Sequence, residues 1–186
     1  MDKSIKNALI ILTDGVEEVE AISVIDLLRR AEIDVTTASI KEDKVTGSHN
    51  ITFFADAKID DVKNREFDIV ILPGGPGTKH LRESETVIDI VKRQNEMGKY
   101  IAAICAAPTV LNKAGIVTGK SVTSHPSEEQ TFENSNYFYK NVVVDGNIIT
   151  SRAAGTALDF STKIIELLVG KKKAEEVAGK ILHPVS

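Results

Sequence analysis

The chain has a single cysteine, Cys105, so no internal disulfide can form, and a reducing, cytoplasmic setting is the expectation. One cysteine cannot build a thiolate cluster either. The four histidines, His49, His80, His125 and His183, show no metal-ligand spacing, and no metal is expected. A basic surplus is missing. The formal net charge is −4, and the one local basic run, Lys171-Lys172-Lys173, has Glu175 and Glu176 beside it and reads as a solvated helix start. That balance argues against a nucleic-acid-binding surface. Long apolar runs are missing too. The run at 8–12 is too short for a signal-peptide core or a membrane span, so no membrane partner is expected. There is no repeat, no low-complexity stretch and no long linker. The glycines at 74–77 are followed by no Gly-Lys-Ser/Thr, and their spacing is wrong for a dinucleotide fingerprint. No cofactor is expected.

What is present is ordinary in amount and regular in order. The 186 residues are 42% hydrophobic and 27% charged, which suits one domain, 1–186, around one sizeable core. Strand and helix signals alternate. Residues 8–12, 67–72 and 100–104 are continuous apolar runs, as expected of strands buried on both faces. Residues 33–40 read as a further strand, and 45–56 as a short β excursion with Gly47 near its start. Val122-Thr123 reads as a short strand. Residues 142–144 and 148–150 flank Asp145-Gly146-Asn147, a hairpin signal. Asp14 and Glu17 suggest a capping box for a first helix that carries Val19, Ile22, Val24, Ile25 and Leu28 and ends near Ala31. Further helices are expected at 81–96, at 108–114 with Gly115 ending it, at 154–169 and at 172–182. This order predicts an α/β three-layer sandwich, a mostly parallel sheet with helices on both faces. Ligands in such folds sit beyond the carboxyl ends of the strands. The segments after Leu12, Leu72 and Ile104 are therefore the places to look.

Cys105 directly follows a buried run and lies three residues before Pro108, which favours a first helical turn. A thiol at a strand-to-helix turn faces unpaired N–H groups, and such a place lowers its pKa below the usual ~8.5. The small residues Ala102, Ala103, Ala106 and Ala107 permit a sharp turn, similar to the nucleophile elbow of hydrolases without its glycines. A lone cysteine is also commonly buried and inert, and both readings stand. Gly74 and Gly75 can bring backbone N–H groups against a carbonyl attacked by Cys105, or simply mark a turn. Glu17 and Glu20 share a helix face, where one can carry protons beside the thiol or merely favour the helix start. His125, before Pro126, can orient or protonate a substrate oxygen, or be a plain loop histidine.

Several segments together resemble one family. Ala103-Ile104-Cys105-Ala106-Ala107-Pro108, Gly15-Val16-Glu17-Glu18-Val19-Glu20, Leu72-Pro73-Gly74-Gly75, Ser124-His125-Pro126 and Thr150-Ser151-Arg152-Ala153-Ala154-Gly155-Thr156 look like the motifs of the DJ-1 (ThiJ/PfpI) superfamily, in family order. The resemblance implies a flavodoxin-like, class I glutamine amidotransferase-like fold with six or seven strands, and a homodimer supported by the last helix. It implies Cys105 as an oxidation-sensitive nucleophile, Glu20 as the carboxyl contacting it and His125 as the pocket histidine. Gly74, Gly75 and Ala106 become backbone donors, while Glu17, His49 and Ala154 line the pocket. Two positions depart from the pattern: His49 stands where close relatives often have an arginine, and Ala153-Ala154 stands for a common Gly-Pro.

The resemblance further implies a cofactor-free enzyme acting on methylglyoxal and related α-oxoaldehydes, or on the glycated adducts they form. In that reading the Cys105 thiolate adds to the aldehyde and Glu20 moves the proton. A redox-responsive stress protein or chaperone, sensing oxidation of Cys105, is the alternative. A cysteine peptidase ranks lower, because no histidine lies near Cys105 in sequence to act as its general base.

Overall fold

The computed structural model describes residues 5–184. β1 (Asn7–Leu12) leads into α1 (Glu18–Arg30) and β2 (Asp34–Ser39). The antiparallel pair β3 (Lys44–Thr46) and β4 (Thr52–Phe54) follows, then β5 (Ala57–Lys58) and α2 (Ile59–Val62). Next come β6 (Ile69–Leu72), α3 (Thr78–Glu83), α4 (Glu85–Glu96), β7 (Tyr100–Ile104) and α5 (Pro108–Lys113). After β8 (Ser121–Val122) and a 3₁₀ segment (Pro126–Phe132) come β9 (Asn136–Tyr137), β10 (Val142–Asp145) and β11 (Ile148–Ser151). A 3₁₀ turn (Ala154–Thr156), α6 (Ala157–Val169) and α7 (Lys171–Lys180) complete the described chain.

The main sheet has seven strands in the order β10-β11-β7-β6-β1-β2-β5. All its neighbours pair in parallel except β10 with β11. Strand periodicity sorts β1 between two cores. Ala8, Ile10 and Leu12 pack with Val24 and Leu28 of α1 and with Phe160 and Ile164 of α6. Leu9 and Ile11 pack with Val87 and Val91 of α4 and with Val110 and Leu111 of α5. The expected α/β sandwich is therefore the one observed. From β1 the chain runs to β2 on one side and returns to β6 on the other, so a switch point lies between β1 and β6.

Several boundaries differ from the sequence reading, each for a local reason. The expected helix at 81–96 is two helices. Ser84 takes an extended conformation and its side chain accepts the Val87 N–H at 3.4 Å, which starts α4 afresh. Asp14 does not cap α1; its carboxylate accepts the Thr46 N–H at 2.9 Å and ties the β1 loop to β3. The N-cap position of α1 is Glu17, without a side-chain cap. On α1 the inward stripe is Glu20, Ala21, Val24, Leu27 and Leu28, while Val19 and Ile22 face outward. The 142–151 hairpin turns through Gly146 at φ +62°, with Asp145 opposite Ile148. Residues 154–156 form a 3₁₀ turn before α6 rather than its first turn.

Candidate active site

Three loops converge at the carboxyl edge of β1, β6 and β7. Gly77 N–H donates to Gly15 C=O at 2.8 Å, and Glu17 N–H donates to Gly74 C=O at 3.0 Å. The approach is close enough to exclude side chains from the second loop. A Cβ on Gly75 (φ +96°) would lie 2.4 Å from Glu17 N, and one on Gly74 would lie 2.6 Å from Cys105 Cβ and 2.8 Å from Ile104 O. Only glycine fits at either position.

Cys105 begins the turn after β7 with φ 65°, a left-handed conformation rare for a residue with a side chain. Such a backbone costs about 1–3 kcal/mol and persists only when its surroundings enforce it. Those surroundings are visible. Its N–H donates to Ser151 C=O at 3.0 Å at the end of β11, and its C=O accepts from His125 N–H at 2.8 Å. The thiol is half-buried, and the Gly75 and Ala106 N–H groups point at it. α5 has only six residues, so these direct N–H contacts, rather than a long helix dipole, are what favour negative charge on the sulfur.

Glu20 is fully buried because it occupies a core position in the first turn of α1. Its Oε2 accepts the Gly74 N–H at 2.8 Å. Its Oε1 is buried with no hydrogen-bond partner. The carboxyl sits beside the Cys105 thiol, close enough for each group to shift the other's pKa. Burial pushes the Glu20 carboxyl up to about 7, against the Gly74 N–H and the thiol, which lower it. Burial, the charge of Glu20 and its hydrogen bond push Cys105 up to about 12, against the Gly75 and Ala106 N–H groups. The two groups titrate as a pair that holds one proton between about 7 and about 12.

The remaining candidates fall into place around this pair. Gly74 does not offer a free donor to a substrate oxygen, since Glu20 takes its N–H; its part is to position the carboxyl. Gly75 and Ala106 keep their N–H groups at the sulfur. The exposed His125 ring turns to Ser127: Nδ1 accepts the Ser127 N–H at 3.3 Å, which leaves the proton on Nε2. Among the described residues no histidine ring is hydrogen-bonded to Cys105. Ala154 opens the 3₁₀ turn three residues beyond Ser151, the residue that holds the Cys105 N–H.

Glu17 and His49 meet through Glu18, a residue whose role sequence reasoning missed, and the Glu17 charge also acts on Glu20. The Glu18 carboxylate accepts N–H groups from His49 (2.7 Å) and Ile51 (3.4 Å) and contacts the His49 ring at 3.1 Å. Burial opposes its charge, but these bonds outweigh burial and hold it at about 2. The exposed His49 ring is pushed up by Glu18 and then by Glu17. Among the described residues, Glu17, Glu18 and His49 are the one group with metal-ligand spacing, their ligand atoms lying within 4.8 Å of one another. The helix start and the 48–51 turn meet only in the folded chain, so linear spacing carried no signal of it.

A strained cysteine on the turn after a central parallel strand, backed by a buried carboxyl from the first helix, defines a flavodoxin-like α/β protein with an elbow cysteine. The sequence profile of the DJ-1/PfpI family matches residues 6–167, and the chain belongs to that family. It is 47% identical over 182 residues to protein dj-1beta of Drosophila melanogaster, covering 95% of this chain and 97% of the relative. The crystal structure of Drosophila DJ-1beta superposes with a TM-score of 0.95, covering 97% of this chain and 100% of that one. The glutathione-independent glyoxalase DJR-1.2 of Caenorhabditis elegans is 38% identical over 175 residues, covering 92% of this chain and 94% of the relative.

Proposed function

We propose that the protein is a cofactor-free glyoxalase or deglycase that acts on methylglyoxal and related α-oxoaldehydes, or their adducts, through the Cys105 thiolate. The observation that carries this reading is the Glu20–Cys105 pair. Oε1 of Glu20 has no hydrogen-bond partner, and two N–H groups face the sulfur. Both features favour the arrangement with the single proton on Glu20 and the negative charge on sulfur. The thiolate adds to the aldehyde carbon, and the carbonyl oxygen takes the Glu20 proton. Glu20, now a carboxylate, removes a proton from that carbon and delivers it to the neighbouring carbonyl carbon, while the hydroxyl proton passes from the first oxygen to the second. This leaves a 2-hydroxyacyl thioester on Cys105. Water hydrolyses the thioester and releases the hydroxy acid, lactate from methylglyoxal. In this reading His125 donates from Nε2 to a substrate oxygen. The glyoxalase relative supports this chemistry by likeness. The test is lactate formation from methylglyoxal by wild type against Cys105→Ala.

The alternative, a redox-responsive protein, is favoured by one feature: the sulfur is half-buried beside a carboxyl and two N–H donors that can also hold the oxygens of a sulfinate. Holdase activity that appears only after peroxide, without methylglyoxal turnover, distinguishes it. A homodimer in the cytoplasm belongs to the same reading. The outward Val19 and Ile22 of α1 and the exposed Ile51 and Phe54 support the dimer as apolar surface.

A further inference from the structure

Arg152 is the first residue after β11, at the level of Cys105. Ser151 is paired with Ile104, and Cys105 donates its N–H to Ser151 C=O. The two residues therefore leave neighbouring parallel strands side by side. The guanidinium lies over the Tyr139 ring at 5.6 Å. Tyr139 packs edge-on against Tyr137 at 5.5 Å, and the Tyr137 hydroxyl donates to Ser124 C=O at 3.1 Å, next to His125. The shelf that carries Arg152 is thus built on the His125 side of the thiol.

What distinguishes this arginine is what it lacks. Its Nε is buried and has no hydrogen-bond partner. Among the described residues no carboxylate lies within ion-pair distance of it, and its side chain donates no hydrogen bond. A buried donor without an acceptor is rare in folded proteins and costs about 1–3 kcal/mol. The stacked ring fixes the guanidinium without neutralising it. His49, the pocket cation singled out from the sequence, is already held by Glu18 and Glu17. The Arg152 guanidinium is without a carboxylate partner among the described residues.

We propose that Arg152 is the anion-recognising residue of the Cys105 site, and that it selects α-oxo substrates carrying a carboxylate or phosphate. A planar fork of N–H donors matches such a group. The proposal deepens the Cys105 reading and rests on it.

The test compares alkylation of Cys105 by iodoacetate, which carries a carboxylate, with alkylation by neutral iodoacetamide. The ratio of the two rates reports anion recognition without requiring turnover. In Arg152→Gln the ratio should fall about tenfold or more, as expected for losing one charge-assisted contact. Arg152→Lys should retain most of the wild-type ratio. An unchanged ratio in Arg152→Gln overturns the proposal, as does an equal loss in Arg152→Lys and Arg152→Gln. A wild-type Cys105 inert to both reagents overturns it by removing the nucleophile reading beneath it, a result separable from a change in ratio.

Discussion

Glu20 reaches Cys105 across a glycine: its Oε2 holds the Gly74 N–H at 2.8 Å, and a Cβ on that glycine would stand 2.6 Å from the Cβ of Cys105. The carboxyl and the thiol can share a proton because the residue between their elements has no side chain. Replacing Gly74 with alanine forces backbone atoms apart. Gly74→Ala should destabilise the protein by about 1–3 kcal/mol, as overpacking of a tight interior does, and should slow alkylation of Cys105. Chemical denaturation and iodoacetamide kinetics read the two effects. Unchanged values for both mean that the loop moves freely and does not set the pair.

The shared proton has a signature in pH. If it rests on Glu20, the thiolate forms as the pair loses its first proton, and iodoacetamide reactivity rises through an inflection near about 7. If it rests on sulfur, reactivity climbs only towards about 12. The account expects the first profile, measured by stopped-flow alkylation of Cys105.

Burial of Glu20 also affects stability. The folded Glu20–Cys105 pair gives up its first proton near about 7, above the ordinary 4.5 of the carboxyl, so between those values the folded state binds more protons than the unfolded state. The protonated carboxyl is fully favoured below about 4.5, and stability falls as pH rises from about 4.5 to about 7, by up to about 3 kcal/mol. Glu18, held at about 2, acts in the separate window between about 2 and 4.5, where stability is lost as pH falls. Glu20→Gln should flatten the 4.5–7 region and melt higher than wild type at pH 8. Calorimetry across pH checks this. A wild-type profile without that slope means Glu20 is ionised without penalty.

Much of the frame was legible in the sequence because each signal was local. The apolar runs ending at Leu12, Leu72 and Ile104 became β1, β6 and β7, and the Gly146 hairpin formed where turn chemistry required it. Cys105 was legible as a turn residue from its alanines and Pro108. The carboxyl roles were harder. Glu17, Glu18 and Glu20 are alike as a string, and only contacts some 30 to 54 residues away separate them: Glu18 to His49 and Ile51, Glu20 to Gly74. The outward Val19 and Ile22 and the inward Glu20 invert the usual helix pattern, so hydrophobic spacing pointed the wrong way there. Arg152 gave no signal, since an unpartnered guanidinium is defined by neighbours that only the fold supplies.

The central claim is that Glu20 carries a proton for a Cys105 thiolate that turns over α-oxoaldehydes. The most direct measurement is D-lactate formation from methylglyoxal by wild type, Cys105→Ala and Glu20→Gln, with Cys105 alkylation followed in parallel for the Gln variant. Wild type should turn over and Cys105→Ala should not. Glu20→Gln should lose about two orders of magnitude or more in turnover, the usual contribution of a general acid–base group, while its cysteine still alkylates. Near-full turnover in Glu20→Gln, or lactate formation in Cys105→Ala, would contradict the account.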